Sequence, residues 1–211
     1  MQINQINSLC ELRRISLLLM SLGFAISMIT QTSRAGTKSL FGASLPLNPK
    51  AYALVAAPIS TTGSYTLHIY EQVSKKRKCW ETDANNPNTI KPLLDDFDFT
   101  AICSRYIDSN GYSIRINDED MGLIYSIKVF SSTKYLCLVG LPRSSSMGLP
   151  ALLLGKAARA NSVGVFYRIR LEDHWHTSKR QFGGKSLGHL YLHYRDSSLK
   201  QPRWLSRDCK A

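Results

Sequence analysis

Acidic residues are scarce in this chain. Asp and Glu together number 15 against 27 Lys and Arg, a formal net charge of +12. That balance excludes an acidic, solvating polypeptide and favours anionic partners. Catalytic and cofactor signatures are missing too. No Cys-x-x-Cys occurs, which removes the zinc ribbon and the thioredoxin-type redox motif. No Gly-x-Ser-x-Gly elbow, dinucleotide fingerprint or phosphate-binding loop is present. There is no internal repeat and no low-complexity tract. Only one long apolar run exists, the 15 residues 15–29, and it falls short of the ~20 that cross a bilayer as a helix.

That run lies in an N-terminal segment with three regions. Residues 1–14 are polar and end in Arg13 and Arg14; the uncharged run follows; Ser33 and Ala35 then stand as the small −3 and −1 residues of a cleavage site. The order is that of a secretory signal over residues 1–35. An uncleaved anchor is the alternative. Without this segment the chain keeps a net charge near +10, because the leader holds three arginines and one glutamate. Residues 36–50 read as a linker or loosely ordered start, 51–195 as a single domain and 196–211 as a tail. Such a length buries a real core.

The domain shows a β rhythm. Short runs rich in β-branched and aromatic residues recur at 51–57, 65–73, 99–107, 112–116, 123–130, 135–141, 163–171 and 187–194. Gly, Pro, Asn, Asp or Ser bound each run. The expectation is a mainly β fold, an antiparallel sandwich or partly closed barrel, with a meander at 99–141 and little helix. Asn110-Gly111 is read as a tight hairpin turn supplying positive φ angles. The best helix candidates are 89–96 and 150–160, and the second reads equally as a strand as far as Leu154.

Export changes the meaning of the cysteines. Cys79, Cys103, Cys137 and Cys209 remain after the leader, an even set in an oxidising compartment. Cys79 and Cys103 bracket a turn-rich stretch and are the expected bridge. Cys137 reads either as a buried free thiol or as the partner of Cys209.

Candidate sites were weighed by spacing. His174 and His176 share a face if extended. His189 and His193 have helical chelate spacing but lie in a strand pattern, where about 13 Å separates them. Asp96 and Asp98 share an extended face, and Asp118, Glu119 and Asp120 fill a turn. No metal or cofactor is expected from these. The basic groups are more distinctive: Lys75, Lys76, Arg77 and Lys78 in one run, and Lys179 and Arg180 near Trp175. These seven residues are the candidate anion-binding set.

Several stretches carry a resemblance. They are Cys79-Trp80, Asp98-Phe99-Thr100-Ala101-Ile102-Cys103, Asp108-Ser109-Asn110-Gly111-Tyr112-Ser113-Ile114-Arg115, Asp120-Met121-Gly122-Leu123 and Gly184-Lys185-Ser186-Leu187-Gly188-His189. In this order they resemble a family of exported cyanobacterial proteins known only as a domain of unknown function. The likeness spans roughly 51–194. The family pattern has glycine where this chain has Ala101. The resemblance implies an envelope or extracellular setting and agrees with a Cys79–Cys103 bridge. It implies no activity and assigns no catalytic residue.

The expectation for function is an exported, non-enzymatic envelope or extracellular protein that binds anionic polysaccharide or another anionic surface. Nucleic acid fits the charge but not the compartment. The alternatives are a hydrolase or lyase of envelope polymers and a structural or assembly partner. The sequence leaves the oligomeric state open.

Overall fold

A computed structural model describes residues 40–59, 63–159, 164–196, 202 and 209. The leader expected over 1–35 and most of the tail lie outside the described residues. Fourteen strands follow one another among those residues: β1 (Gly42–Ala43), β2 (Tyr52–Ile59), β3 (Ser64–Gln72), β4 (Trp80–Thr82), β5 (Ile90–Pro92), β6 (Cys103–Tyr106), β7 (Tyr112–Ile116), β8 (Glu119–Asp120), β9 (Tyr125–Ser131), β10 (Tyr135–Pro142), β11 (Leu152–Ala158), β12 (Tyr167–Leu171), β13 (Trp175–Phe182) and β14 (Lys185–Tyr194). Only short 3-10 turns interrupt them. The fold is mainly β, as the rhythm of short runs predicts.

Two large sheets form. One has seven strands in the order β6-β3-β2-β12-β11-β10-β9, and the other five in the order β1-β13-β14-β7-β8. Strands β4 and β5 make a small separate ribbon. Nearly all pairs are antiparallel; β7 beside β14 is parallel. One core joins the two large sheets. Leu54, Leu67, Leu138, Leu154 and Ile169 project from the first, and Ile114, Leu190 and Leu192 from the second. Period-2 alternation explains the choice, since Leu190, Leu192 and Tyr194 point inward and the residues between them outward.

The outer face of the seven-stranded sheet is also covered. Ala53, Val55 and Tyr70 lie beneath Cys79, Ile90, Leu94 and Cys103. Strand β2 is therefore buried on both faces, which suits its uninterrupted apolar run. Farther along the sheet, Cys137, Val139 and Leu153 are covered by Cys209 from the tail.

Several local expectations are corrected. Residues 99–141 hold strands but not a consecutively paired meander. Strand β6 pairs with β3 and β7 with β14, and the consecutive pairs are confined to the short β7–β8 hairpin and the β9–β10 hairpin. Neither Asn110 nor Gly111 has a positive φ. Instead the Asp108 carboxylate accepts from the Asn110 and Gly111 amides, an Asx-type turn that sends the chain from one sheet to the other. Glycine at 111 relieves crowding, because a Cβ there would lie 3.1 Å from the Tyr106 Cβ. The tight turn of positive φ is at Gly183-Gly184, between β13 and β14. Neither helix candidate is helical: 89–96 gives β5 and a 3-10 turn, and 150–160 gives β11.

Candidate functional site

Both disulfides are formed, Cys79–Cys103 and Cys137–Cys209. The second removes the free-thiol reading of Cys137. The first closes the base of the 74–78 turn, where the Gln72 side chain also donates to the Ser74 and Arg77 carbonyls. This turn holds Lys75, Lys76, Arg77 and Lys78, all exposed. Arg77 lies over the Phe97 ring at 4.3 Å, and Lys78 faces Glu81 at 4.0 Å. An exposed pair at that distance neutralises little.

The second basic group is built differently. Lys179 and Arg180 are neighbours in β13 and serve separate carboxylates. Lys179 Nζ lies 2.8 Å from Glu71 Oε1. Glu71 also accepts from the Tyr52 and Tyr106 hydroxyls, at 2.5 and 2.7 Å. Burial alone would raise the Glu71 pKa. The three donors outweigh it and hold the carboxyl below its ordinary range. Trp175 is no surface platform; it is buried and packs edge-on against Tyr194.

Arg180 belongs to a polar layer on the outer face of the five-stranded sheet. Parallel pairing sets Tyr191 beside Ser113 and His193 beside Arg115. Antiparallel pairing sets Ser178 beside Tyr191 and His176 beside His193. These residues alternate with the core leucines, so they share the opposite face. Arg180 donates to Tyr191 Oη at 2.7 Å and to Asp120 Oδ2 at 2.8 Å, and the Tyr191 hydroxyl donates to the same carboxylate oxygen at 2.8 Å. The Arg180 guanidinium also stacks on Phe41 at 4.9 Å. Arg115 donates to the Phe41 and Asp118 carbonyls.

Two serine–histidine pairs complete the layer. Ser113 Oγ lies 2.8 Å from His189 Nε2, and His189 Nδ1 lies 2.8 Å from the Asn110 carbonyl. Ser178 Oγ lies 3.2 Å from His193 Nδ1, and His193 Nε2 lies 2.8 Å from the Asn117 carbonyl. A carbonyl oxygen only accepts, so the ring nitrogen facing it carries the proton. The other nitrogen is bare and accepts from the serine. Burial keeps both imidazoles neutral: it lowers His189, and it takes His193 down to about 4, helped by the neighbouring His176 and Arg115.

The first pair opens on a cavity of about 880 Å³. Ser113 and His189 line it together with Arg180, Lys128 and Arg143. The second pair is sealed, with Ser178 at 0% and His193 at 2% exposure.

The remaining candidates do not converge. His174 sits in the β12–β13 turn at φ 68, so it does not share a strand face with His176. Asp96 ends a 3-10 turn, and Asp98 caps the Thr100 amide. Among the described residues no cluster of three His, Cys, Asp or Glu is placed to hold a metal. Also among them, no helix is long and apolar enough to cross a membrane.

Sequence reasoning singled out His189, Arg180 and Asp120 separately, but not the role of Ser113 and not that these residues meet. The usable signal was the alternation Tyr112-Ser113-Ile114-Arg115 against His189-Leu190-Tyr191-Leu192-His193. It shows polar faces on both strands but not that the strands are neighbours.

The model of one protein family matches residues 17–197 of the chain, and the chain belongs to that family, described as a protein of unknown function, DUF3747. No match was found among curated proteins or among solved structures.

Proposed function

We propose that this member of the DUF3747 family works outside the cytoplasm as a basic module that binds an anionic polymer, polysaccharide being the class that suits an envelope setting. The observation that carries the reading is the 74–78 turn. Four consecutive cations stand exposed on a loop whose base is closed by the Cys79–Cys103 bridge. A rigid base lowers the entropy lost when such a loop engages a ligand. The chain's net +12 adds long-range attraction to the same partners. Two disulfides support an oxidising compartment.

The charge set is narrower than the sequence implied. Lys179 and Arg180 are occupied by Glu71 and Asp120, so contact with polymer falls to Lys75, Lys76, Arg77 and Lys78. The test is retention of the purified protein on immobilised alginate and heparin. Retention at low salt should fall steeply as ionic strength rises, since exposed charges are screened within about 8 Å at physiological salt. Replacing the four cations by alanine should weaken retention about tenfold or more, while Lys179→Ala should not, the scale being set by roughly 1.4 kcal/mol per tenfold. No retention of the folded protein at low salt on either matrix sinks the proposal.

A further inference from the structure

We infer that Ser113 and His189 form a nucleophile–base pair that hydrolyses carboxylic esters bound in the cavity beside them, with preference for esters carrying a negative charge. This inference is separate from the loop reading, because Lys75–Lys78 take no part in lining the cavity.

The Asn110 carbonyl fixes the proton on His189 Nδ1, so Nε2 is the bare nitrogen and accepts the Ser113 hydroxyl at 2.8 Å. A serine, a base within hydrogen-bond reach and a third group orienting the base are the parts an activated nucleophile needs. Here a main-chain carbonyl takes the orienting role. Ser113 and His189 are 8% and 7% exposed, so the pair meets the cavity at its edge. Gly122 packs against Ser113, and a Cβ at that position would lie 3.1 Å from Ser113 Cβ and 3.4 Å from Oγ. A side chain at 122 would crowd the serine and the Asp120 carboxylate, which would lie 3.1 Å away.

A serine–histidine hydrogen bond is not distinctive by itself, since Ser178 and His193 make a corresponding pair with Nδ1 facing the serine and Nε2 facing the Asn117 carbonyl. Access separates the two. Ser113 and His189 line a cavity of about 880 Å³, while Ser178 is completely buried. The sealed pair is an internal control supplied by the fold.

The chemistry balances with water alone. Ser113 Oγ bonds to the ester carbonyl carbon as its proton passes to His189 Nε2, and the carbonyl electron pair moves onto oxygen. Collapse expels the alkoxide, which takes the proton from Nε2 and leaves as alcohol. Water repeats the sequence on the acyl-serine, releasing the carboxylic acid and restoring the hydroxyl. Arg180 Nη2 lies 3.5 Å from Ser113 Oγ while its stronger contact, at 2.8 Å, is to Asp120 Oδ2, so it adds only a shared positive charge beside the reacting carbonyl. The charge preference comes from Lys128 and Arg143, which together with Arg180 outnumber the two lining carboxylates, Asp108 and Asp120. Lys128 and Arg143 both line the cavity and are exposed, and among the described residues no carboxylate stands within ion-pair distance of either.

The experiment uses the oxidised, folded protein and a small neutral fluorophosphonate. Peptide mapping of the wild type should place the adduct on Ser113. Ser178→Ala should label at the wild-type rate, and His189→Gln should label at least ~100-fold more slowly, the scale of a lost general base. The wild-type map needs no variant to fold. Failure of the folded protein to label, or an adduct on another serine, overturns the assignment. For substrate class, 4-nitrophenyl hemisuccinate should be hydrolysed with higher kcat/KM than 4-nitrophenyl acetate, and salt should narrow the gap. Equal or reversed preference overturns the anionic-ester class. Because the fluorophosphonate is uncharged, labelling succeeds or fails independently of polymer retention.

Discussion

Acidification should begin to destabilise this protein above the carboxylate range, and His193 is the main reason. The ring is 2% exposed, and its pKa lies at about 4 in the folded chain. An unfolded histidine titrates near 6.5. Above pH ~6.5 the ring is neutral in both states and costs nothing. Between 6.5 and about 4 the unfolded chain takes up a proton that the folded chain refuses, so stability falls as pH falls. Below about 4 both states are protonated and the loss stops growing. The interval of roughly 2.5 units corresponds to about 3 kcal/mol, a large share of the 5–15 kcal/mol typical of a domain. His68, His176 and His189 are lowered by burial in the same sense and steepen the decline. The His176 ring lies 4.7 Å from that of His193, and its charge further disfavours protonation of His193. Urea unfolding followed by tryptophan fluorescence at pH 7.5, 6.5, 5.5 and 4.5 measures the slope. His193→Gln, which keeps a donor and an acceptor, should flatten it while costing some stability at pH 7.5. An unchanged slope in the variant would refute the reasoning.

Three further outcomes are expected. Replacing Cys137 and Cys209 together by alanine should cost about 4 kcal/mol for a separation of 72 residues, against about 3 for Cys79 and Cys103 at 24, compared by thermal unfolding of each variant. Ala101 has φ 60, a left-handed conformation that glycine adopts freely, so Ala101→Gly should stabilise by about 1 kcal/mol in the same assay; this is the position where the resembling family pattern carries glycine. Glu71→Gln should destabilise by roughly 2 kcal/mol at pH 7, because Lys179 loses its charged partner. It should also remove part of the stability that the wild type loses as pH falls through the depressed Glu71 pKa, below the unfolded carboxyl value near 4.3.

How far the sequence could be read depends on how local each feature is. The β class was legible because alternation is a property of neighbours in the chain. Leu190 and Leu192 announce a buried face whatever lies across from them. The Cys79–Cys103 bridge was legible for a similar reason, since a turn-rich segment between two cysteines brings them back together. The meander was misread where adjacency in sequence stood in for pairing. Asp108 and Gly111 turn the chain out of one sheet and into the other, and turn residues do not say which partner the next strand meets. The serine–histidine pairing was not legible at all. Ser113 and His189 are separated by 76 residues and meet because β7 lies parallel to β14. Parallel neighbours need a long crossover, which leaves no local mark of register.

By itself, then, the chain's composition and spacing determined a basic, cysteine-bridged β protein whose four-cation run precedes a bridged cysteine. Charge and alternation are summed or local quantities, and they survive without a fold. Tertiary structure alone decided which cations stay free. Lys179 and Arg180 look like surface charge until Glu71 and Asp120 arrive from other strands, 108 and 60 residues away in sequence. It also decided which of two similar serine–histidine pairs faces a cavity. That difference comes from what packs above each pair, and packing between distant strands follows from the whole arrangement of sheets rather than from any short stretch.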